Sequence, residues 1–121
     1  MHISLESNEN HSIQAYSDEE IKVNSNLYQQ SLIISSHEII SDWQIRTIKE
    51  LNEVSLAPLL RYNPKIIIIG HKQLGQFAPM PIIGELAQRG LGLETMNIGA
   101  ACRTFNVLLS EHREVVIGLI L

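Results

Sequence analysis

The fold is decided by residues 65–97, which read KIIIIGHKQLGQFAPMPIIGELAQRGLGLETMN. The four consecutive isoleucines Ile66 to Ile69 are β-branched and do not alternate with polar residues, so they predict a strand that is covered on both faces. Pro81 fits the first turn of a helix, and Gly90 fits the position just after its end. Leu93 to Asn97 predicts a second strand. The order of strand, helix and strand predicts a parallel βαβ unit with the isoleucine strand at the centre of a sheet.

The chain after this unit continues the same pattern. Gly99 to Ser110 predicts a helix with apolar residues on one face and with Arg103 and Asn106 on the opposite face. Glu114 to Leu121 predicts a last strand that is apolar up to the final residue. Because an exposed apolar strand would invite association, we expect it either to pair inside the sheet or to lie in an oligomer interface, such as that of a homodimer.

The N-terminal part of the chain has a different, β-rich pattern. Residues 1–12 are polar and acidic with few apolar side chains, so we expect a flexible tail there and a single domain over residues 13–121. Short apolar stretches follow, separated by turn-forming residues, and they predict an antiparallel hairpin or meander. The predicted strands are Ile13–Tyr16, Ile21–Val23, Leu27–Ile34 and Ile39–Ile45.

Two further features are expected before the isoleucine strand. Trp43 is the largest apolar anchor in this part of the chain, and packing of its indole ring is favoured over an exposed recognition role because no aromatic cluster surrounds it. A short helix is predicted from Ser55, the expected N-cap, to about Tyr62. Pro58 would be tolerated there because it would lie in the first turn.

Composition and charge argue against several classes of protein. The 121 residues include 45% hydrophobic and 18% charged side chains, which is typical of one globular domain. A formal net charge of −4 and the lack of a Lys or Arg cluster argue against a nucleic-acid partner. The longest apolar run, Val115–Leu121, is far below the roughly 20 residues of a membrane-spanning helix. With a single cysteine and no secretory or transit pattern, a cytoplasmic location is expected.

A glycine-containing loop follows the isoleucine strand and is the first candidate site. Gly70 and Gly75 have the spacing of a phosphate-binding loop, but the Lys and Ser or Thr that such a loop requires do not follow Gly75. His71 and Lys72 lie just beyond the carboxyl end of a predicted central strand, where ligands gather in open α/β sheets. The start of the helix at Gly99 is expected at the same edge and favours an anion. We therefore expect a crevice between the Gly70 loop and this helix start.

Catalytic and metal chemistry find less support. Cys102 lies near a predicted helix start beside Arg103, a position that would lower the pKa of an exposed thiol, whereas a buried thiol would be inert. No base is placed beside it by the sequence, so catalytic residues are not assigned. The five histidines lack the close spacing of metal ligands. No metal or other cofactor is expected.

The block Glu94–Asn106, which reads ETMNIGAACRTFN, and the following Glu111-His112-Arg113 resemble the family of the mitochondrial complex I assembly factor 3 and its small bacterial relatives. The matching positions to which a binding role would be carried are Glu94, Arg103, Asn106, Glu111 and Arg113. The family pattern has Thr at Ile98, Gly-Thr-Gly at Gly70-His71-Lys72 and Gly at His112. These departures put in doubt any ligand preference shared with the relatives.

The resemblance implies a layered α/β fold with a mixed central sheet. Together with the patterns above, it predicts an N-terminal β-hairpin region followed by a C-terminal βαβαβ portion. For the mitochondrial member it implies a role in building respiratory complex I, and for bacterial members it implies no established reaction.

Two functions are therefore expected from the sequence. The first is a non-catalytic binding or assembly module with a protein partner, in which the matched residues and Gly70, His71 and Lys72 contribute to binding. The alternative is a small-molecule enzyme or sensor that uses the crevice at the Gly70 loop, Arg103 and Cys102.

Overall fold

The computed structural model describes residues 11–121, which form eight strands and three α-helices. The strands are β1 (Ile13–Tyr16), β2 (Ile21–Val23), β3 (Asn26–Tyr28), β4 (Leu32–Ile34), β5 (Ile39–Ile40), β6 (Ile66–His71), β7 (Gly92–Asn97) and β8 (Val115–Leu119). The helices are α1 (Glu53–Leu60), α2 (Met80–Gln88) and α3 (Ile98–Ser110), and a 3₁₀ turn spans Ile48–Glu50. The predicted tail at residues 1–12 lies outside the described residues except for its last two.

The central sheet has five strands in the order β5-β4-β8-β6-β7. The isoleucine strand β6 pairs in parallel with both β7 and β8, whereas β4 pairs antiparallel with β5 and β8. The predicted mixed sheet with a C-terminal βαβαβ portion is therefore confirmed. Strand β8 lies between two neighbours and all five of its residues are buried. Its apolar side chains are covered inside the domain, so the expected need for an oligomer interface around this strand is removed.

The first three strands form a separate antiparallel sheet in the order β1-β2-β3. The prediction of a single strand over Leu27–Ile34 is wrong, because the chain leaves this sheet after Tyr28 and enters the central sheet at Leu32. The tight turn before β3 depends on Asn24 and Ser25, whose φ angles of 52° and 70° are left-handed. The predicted N-terminal meander is confirmed, but only its first three strands belong to it.

The segment after β5 anchors one face of the central sheet through Trp43. The predicted strand over Ile39–Ile45 shrinks to two residues, and the rest of the segment follows the sheet without a regular partner. Trp43 is buried as predicted, and its indole N–H donates to the carbonyl oxygen of Ser55 at 2.8 Å. A β-carbon on Gly118 would lie 2.6 Å from the Trp43 ring, so the ring requires glycine at that position in β8.

Helix α1 begins earlier than predicted. Its N-cap is Asn52, whose side-chain oxygen accepts from the backbone N–H of Ser55 at 2.9 Å. Ser55 is the third helical residue and returns the bond through its hydroxyl, which accepts from the N–H of Asn52 at 2.9 Å. The reciprocal pair outcompetes a cap at Ser55. Pro58 consequently lies in the second turn, and its ring nitrogen leaves the carbonyl of Val54 without a helical donor.

The helices cover the two faces of the central sheet. On one face, α3 packs with the three-stranded sheet over Ile68, Ile117 and Leu119. On the other face, α1, α2 and Trp43 pack over Ile67, Ile69 and Val116. Helix α2 ends at Gln88, and Gly90 follows its C-cap as predicted, with a φ of 75° that suits glycine. Alternation along β6 and β8 supplies both hydrophobic clusters, so the two faces share the same strands.

Candidate functional site

The predicted crevice at the end of β6 is filled by protein at Gly70. A β-carbon added to Gly70 would lie 2.8 Å from the β-carbon of Ala101 on α3 and 2.8 Å from a methyl group of Leu119. Real β-carbons do not approach other heavy atoms so closely, so Gly70 is required by the packing of α3 on the sheet. The structure gives Gly70 a packing role, and its contribution to ligand binding stays a prediction.

His71 lies on the opposite face of the sheet from α3, because successive residues of a strand point to opposite faces. Its side chain is buried, and its Nδ1 accepts from the backbone N–H of Gln73 at 3.2 Å. Burial lowers the pKa of the imidazole, which favours the neutral form. Lys72 is exposed in the loop. Gly70 and His71 were predicted to contribute to one crevice, but Gly70 faces α3 and the His71 side chain lies on the other face of the sheet.

Arg103 binds the N-terminal sheet. Its Nη1 donates to the hydroxyl oxygen of Tyr16 at 2.8 Å, and its guanidinium carbon lies 6.0 Å from the centre of the Tyr16 ring. Among the described residues the observed partner is a phenol, which offers both a hydrogen-bond acceptor and an aromatic face.

The Asn106 side chain links α3 to β1 through two hydrogen bonds. Its side-chain oxygen accepts from the backbone N–H of Ile13 at 2.8 Å, and its side-chain nitrogen donates to the Ile13 carbonyl at 2.9 Å. This pair satisfies both backbone groups of one strand residue. The match of Asn106 to the family pattern is thereby explained by the attachment of the N-terminal sheet.

Cys102 is a buried thiol. The side chain is fully buried in the cluster between α3 and the central sheet. Burial raises its pKa to about 12, although the neighbouring Arg103 acts in the opposite direction. The prediction of a lowered pKa assumed exposure. Because a thiol rather than a thiolate is present near neutral pH, nucleophilic chemistry at Cys102 is disfavoured.

The remaining predicted residues do not cluster around the Gly70 loop, although Glu94 lies on the strand next to it and pairs with Ile68. Glu111 and Arg113 follow the C-terminal end of α3, and a helix of 13 residues is roughly 20 Å long. Glu94 lies on β7 at the edge of the sheet and is exposed. The predicted set therefore falls at both ends of α3 and on one sheet edge. These residues do not form a single site.

His112 explains one departure from the family pattern. Its φ is 59°, and it occupies the position after the C-cap of α3. The N–H of His112 donates to the carbonyl of Leu109 at 3.0 Å, and the N–H of Arg113 donates to that of Leu108 at 3.0 Å. This is a Schellman ending, which normally places glycine at the left-handed residue. The glycine of the family pattern thus has a backbone role, and no ligand need be invoked for it.

An exposed apolar surface follows β6 and was missed by the sequence analysis. Leu74, Phe77 and Met80, here called the apolar loop surface, are 91%, 72% and 77% exposed. Leu74 and Phe77 lie in the loop after β6, which also carries Gly75 and Pro79, and Met80 is the first residue of α2. The signal in the sequence was this group of apolar residues where a polar loop is the norm. Its position at the end of a central strand makes it the strongest candidate for a binding surface.

Neither a metal-binding cluster nor a membrane-spanning helix is found in residues 11–121. In that range no three His, Cys, Asp or Glu side chains come together in a way that would hold a metal ion. None of the helices in the same range has the length and apolar character needed to cross a bilayer.

Comparison with known sequences confirms the resemblance. The family profile described as "Protein of unknown function (DUF498/DUF598)" matches residues 13–120. The "13 kDa major membrane protein" of Francisella tularensis is 32% identical over 89 residues, covering 73% of this chain and 72% of that protein. The "NADH dehydrogenase [ubiquinone] 1 alpha subcomplex assembly factor 3" of Drosophila melanogaster is 33% identical over 88 residues. That match covers 67% of this chain and 43% of the fly protein, so this chain spans less than half of its length.

Comparison with solved structures confirms the fold. A Xanthomonas campestris protein solved by NMR matches with a TM-score of 0.81 and 33% identity, covering 89% of this chain and 82% of that one. A Bordetella pertussis protein described as "a Mth938-like domain" matches with a TM-score of 0.78 and 20% identity. The second match covers 98% of this chain and 90% of that one, and it bears on the fold alone.

Proposed function

The chain belongs to the DUF498/DUF598 family, and from this premise we propose that it is a non-catalytic binding module that helps to assemble a larger protein complex. The proposal is supported by the relatives from Drosophila melanogaster and Xenopus tropicalis, which are named assembly factors and are 33% and 29% identical to this chain. The binding role is favoured over the catalytic alternative because Gly70 packs against Ala101 and Cys102 is buried.

We extend the proposal to a respiratory complex. The two relatives are named as assembly factors of NADH dehydrogenase, and this chain covers 43% and 45% of their lengths. The proposed activity of this chain is therefore limited to the capture of a partner by this shared domain.

The observation that carries the proposal is the apolar loop surface. Full burial of a large apolar side chain is worth about 1.5–3 kcal/mol, which Leu74, Phe77 and Met80 largely forgo in the isolated chain. A partner that covers them would recover part of this free energy. Large apolar anchors surrounded by polar residues are the usual centre of a protein interface.

The charges near this surface indicate the chemistry of the partner. The loop residues 72–79 contain no Asp or Glu. Lys72 is exposed in the same loop. We therefore propose that the partner offers an apolar pocket with acidic residues at its rim. Electrostatic attraction of this kind steers the encounter more than it sets the affinity.

Affinity purification of the full chain from its native cells tests this proposal. A tagged wild-type chain is expected to recover a reproducible protein partner that includes a respiratory-complex subunit. The double substitution Leu74→Glu with Phe77→Glu is expected to reduce that recovery at least about tenfold, because two buried charges would oppose the contact. Both side chains are largely exposed in the isolated chain, so the thermal midpoint should change little.

The control for this experiment is Val54→Glu on α1, where the side chain is 82% exposed and lies outside the apolar loop surface. It should recover the partner as well as the wild type does. The proposal is wrong if the wild-type chain yields no reproducible partner. Full recovery by the double variant would equally remove the apolar loop surface from the interface.

A further inference from the structure

Strand β7 forms one edge of the central sheet. It pairs with β6 on one side, and no described strand pairs with its other side. The strand is six residues long, its register with β6 is continuous, and its only charged residue is Glu94. Natural edges are usually blunted by short strands, bulges, prolines or several charges. The opposite edge strand, β5, is only two residues long. Strand β7 thus keeps the full set of outward backbone groups that a further strand would need.

The flank of α2 above this edge is uncharged and open. Ile82 and Leu86 point into the core, and Glu85 and Arg89 line the groove that faces α1. At 100° per residue, Ile83, Gly84 and Ala87 lie on the side of the helix away from α1. Ile83 is 38% exposed, and a β-carbon on Gly84 would meet nothing within 4 Å. Because α2 packs on β7, this flank borders the open edge.

The flank of α3 borders the same edge from the other face of the sheet. The hydroxyl of Thr104 lies 3.5 Å from the sulfur of Met96 on β7, whereas Arg103 and Asn106 face the N-terminal sheet on the other side of the helix. A strand added to β7 would therefore have an apolar contact with the α2 flank on one face, and would lie beside Thr104 of α3 on the other.

We infer that a second copy of this chain pairs along β7 in antiparallel orientation and joins the two five-stranded sheets into one. A twofold axis perpendicular to the sheet places the α2 flank of one copy against the same flank of the other. The small residues Gly84 and Ala87 allow the two helices to approach closely. This α2 flank carries no charged residue. Since a twofold axis brings the same flank of both copies together, no like charges would face each other there.

The register of this pairing follows from Glu94. About a twofold axis, each residue lies opposite the one equally far along in the other copy, and the residue on the axis lies opposite itself. With Glu94 on the axis, two carboxylates would face each other, which is destabilising. With Thr95 on the axis, two threonines meet and each Glu94 lies opposite Met96 of the second copy. The second arrangement is the one that we assign.

The size of the contact predicts a weak dimer. Six strand residues span about 20 Å, and the helix layers extend roughly 10 Å on either side of the sheet. The flat contact is therefore about 400 Å² for each copy, or roughly 800 Å² in total. This is at the low end for specific interfaces, so dissociation at micromolar concentration is expected.

Disulfide trapping tests the register. With Thr95 on the axis, the two Cα atoms at this position would be about 4.5–5.5 Å apart, which a disulfide can bridge. The variant Thr95→Cys should form a covalent dimer under mild oxidation at least about tenfold faster than Gly92→Cys, whose two Cα atoms would be roughly 20 Å apart. The native Cys102 is fully buried and should not compete.

Sedimentation equilibrium of the full chain over roughly 1–500 μM supplies the second readout. The wild-type chain should change from monomer to dimer, whereas Ile83→Lys with Ala87→Lys should remain monomeric. Leu74→Lys, which lies on the apolar loop surface and away from β7, should dimerise as the wild type does. A wild-type chain that stays monomeric throughout would overturn the inference. So would equal trapping at positions 92 and 95, or trapping of a different protein at position 95 without any homodimer.

Discussion

His112 adopts a backbone conformation that is costly for a residue with a β-carbon. A left-handed φ costs a non-glycine residue roughly 1–2 kcal/mol, and His112 has a φ of 59°. The two hydrogen bonds of the Schellman ending hold it there. Glycine, which the resemblance implies at this position, adopts this conformation without a steric penalty. The strain at His112 is therefore a cost to the stability of α3.

Replacement of this residue gives a prediction at the residue scale. His112→Gly should raise the free energy of unfolding by about 0.5–1 kcal/mol, because relief of the left-handed strain exceeds the added flexibility of the unfolded chain. Urea denaturation measures the change. The matched variant is Gly90→Ala at the same position after α2, where φ is 75° and an added β-carbon meets nothing within 4 Å. It should be less stable than the wild type, and a loss of stability in His112→Gly would contradict the interpretation.

The same scale shows why the candidate site could be predicted only in part. The isoleucine run identified β6, but the sequence does not reveal that the close approach of Ala101 requires Gly70. Nor does it reveal that Gly70 and His71 point to opposite faces, because that depends on where the strand ends. The thiol of Cys102 could be placed near the apolar face of a helix, and the depth of its burial depends on the contacts of that helix. Residue types suggested a site, whereas packing decides which side chains reach solvent.

At the scale of secondary-structure elements, the N-terminal sheet is attached to α3 by a few named contacts. Asn106 holds both backbone groups of Ile13, Arg103 holds Tyr16, and Ile21 and Val23 add buried apolar contacts. The two hydrogen bonds between the Asn106 side chain and the Ile13 backbone are partly buried, and they join residues 93 positions apart in the chain. Removal of this side chain should loosen the sheet without altering the strands of the central sheet.

Asn106→Ala is predicted to lower the free energy of unfolding by about 1–3 kcal/mol, because both backbone groups of Ile13 would lose their partner. Amide hydrogen exchange localises the effect. Protection should fall in β1 and β2 well before it falls in β6 and β8. As a control, Ser110→Ala removes a local hydroxyl bond at the exposed end of the same helix and should leave β1 protected. Uniform loss of protection across both sheets in Asn106→Ala would show that the two Asn106 hydrogen bonds do not specifically stabilise the N-terminal sheet.

The β-region also marks where pattern-based prediction reaches its limit for elements. Leu27–Ile34 looks like one apolar strand, because Gln29, Gln30 and Ser31 form no strong turn signal. The chain nevertheless crosses there from one sheet to the other. In contrast, Asn24 and Ser25 have ordinary turn chemistry, and the hairpin beside them was predicted correctly. Local signals locate turns well, while the choice between sheets depends on long-range pairing.

At the scale of the whole molecule, the two hydrophobic clusters are joined by the strands they share. Residues of β6 and β8 alternate between the α3 face and the α1/α2 face. Neither face can therefore open fully without disturbing the strands that support the other. The chain carries one tryptophan and one cysteine, and Trp43 lies in one cluster while Cys102 lies in the other. Each face thus has its own natural probe.

These probes are predicted to report a single unfolding transition. Trp43 fluorescence and the reactivity of Cys102 toward a thiol reagent should give the same urea midpoint, as two-state unfolding requires. In the folded chain Cys102 should react very slowly, because it is buried and its pKa is raised to about 12. Reaction of Cys102 at a clearly lower urea concentration than the fluorescence change would contradict the prediction. It would show that the α3 face separates first.

The central position of β8 has a consequence for synthesis on the ribosome. Ile34 of β4 pairs with Ile117 of β8, so 83 residues must be added after the first partner before the second exists. At roughly 5–20 residues per second, β4 waits about 4–17 s, and β6 also emerges before its neighbour. During this interval β4 can pair only with β5 and β6 only with β7, so the isoleucines of both strands lack their partners in β8. The nascent chain should therefore depend on chaperones until β8 is released and closes the gap between them.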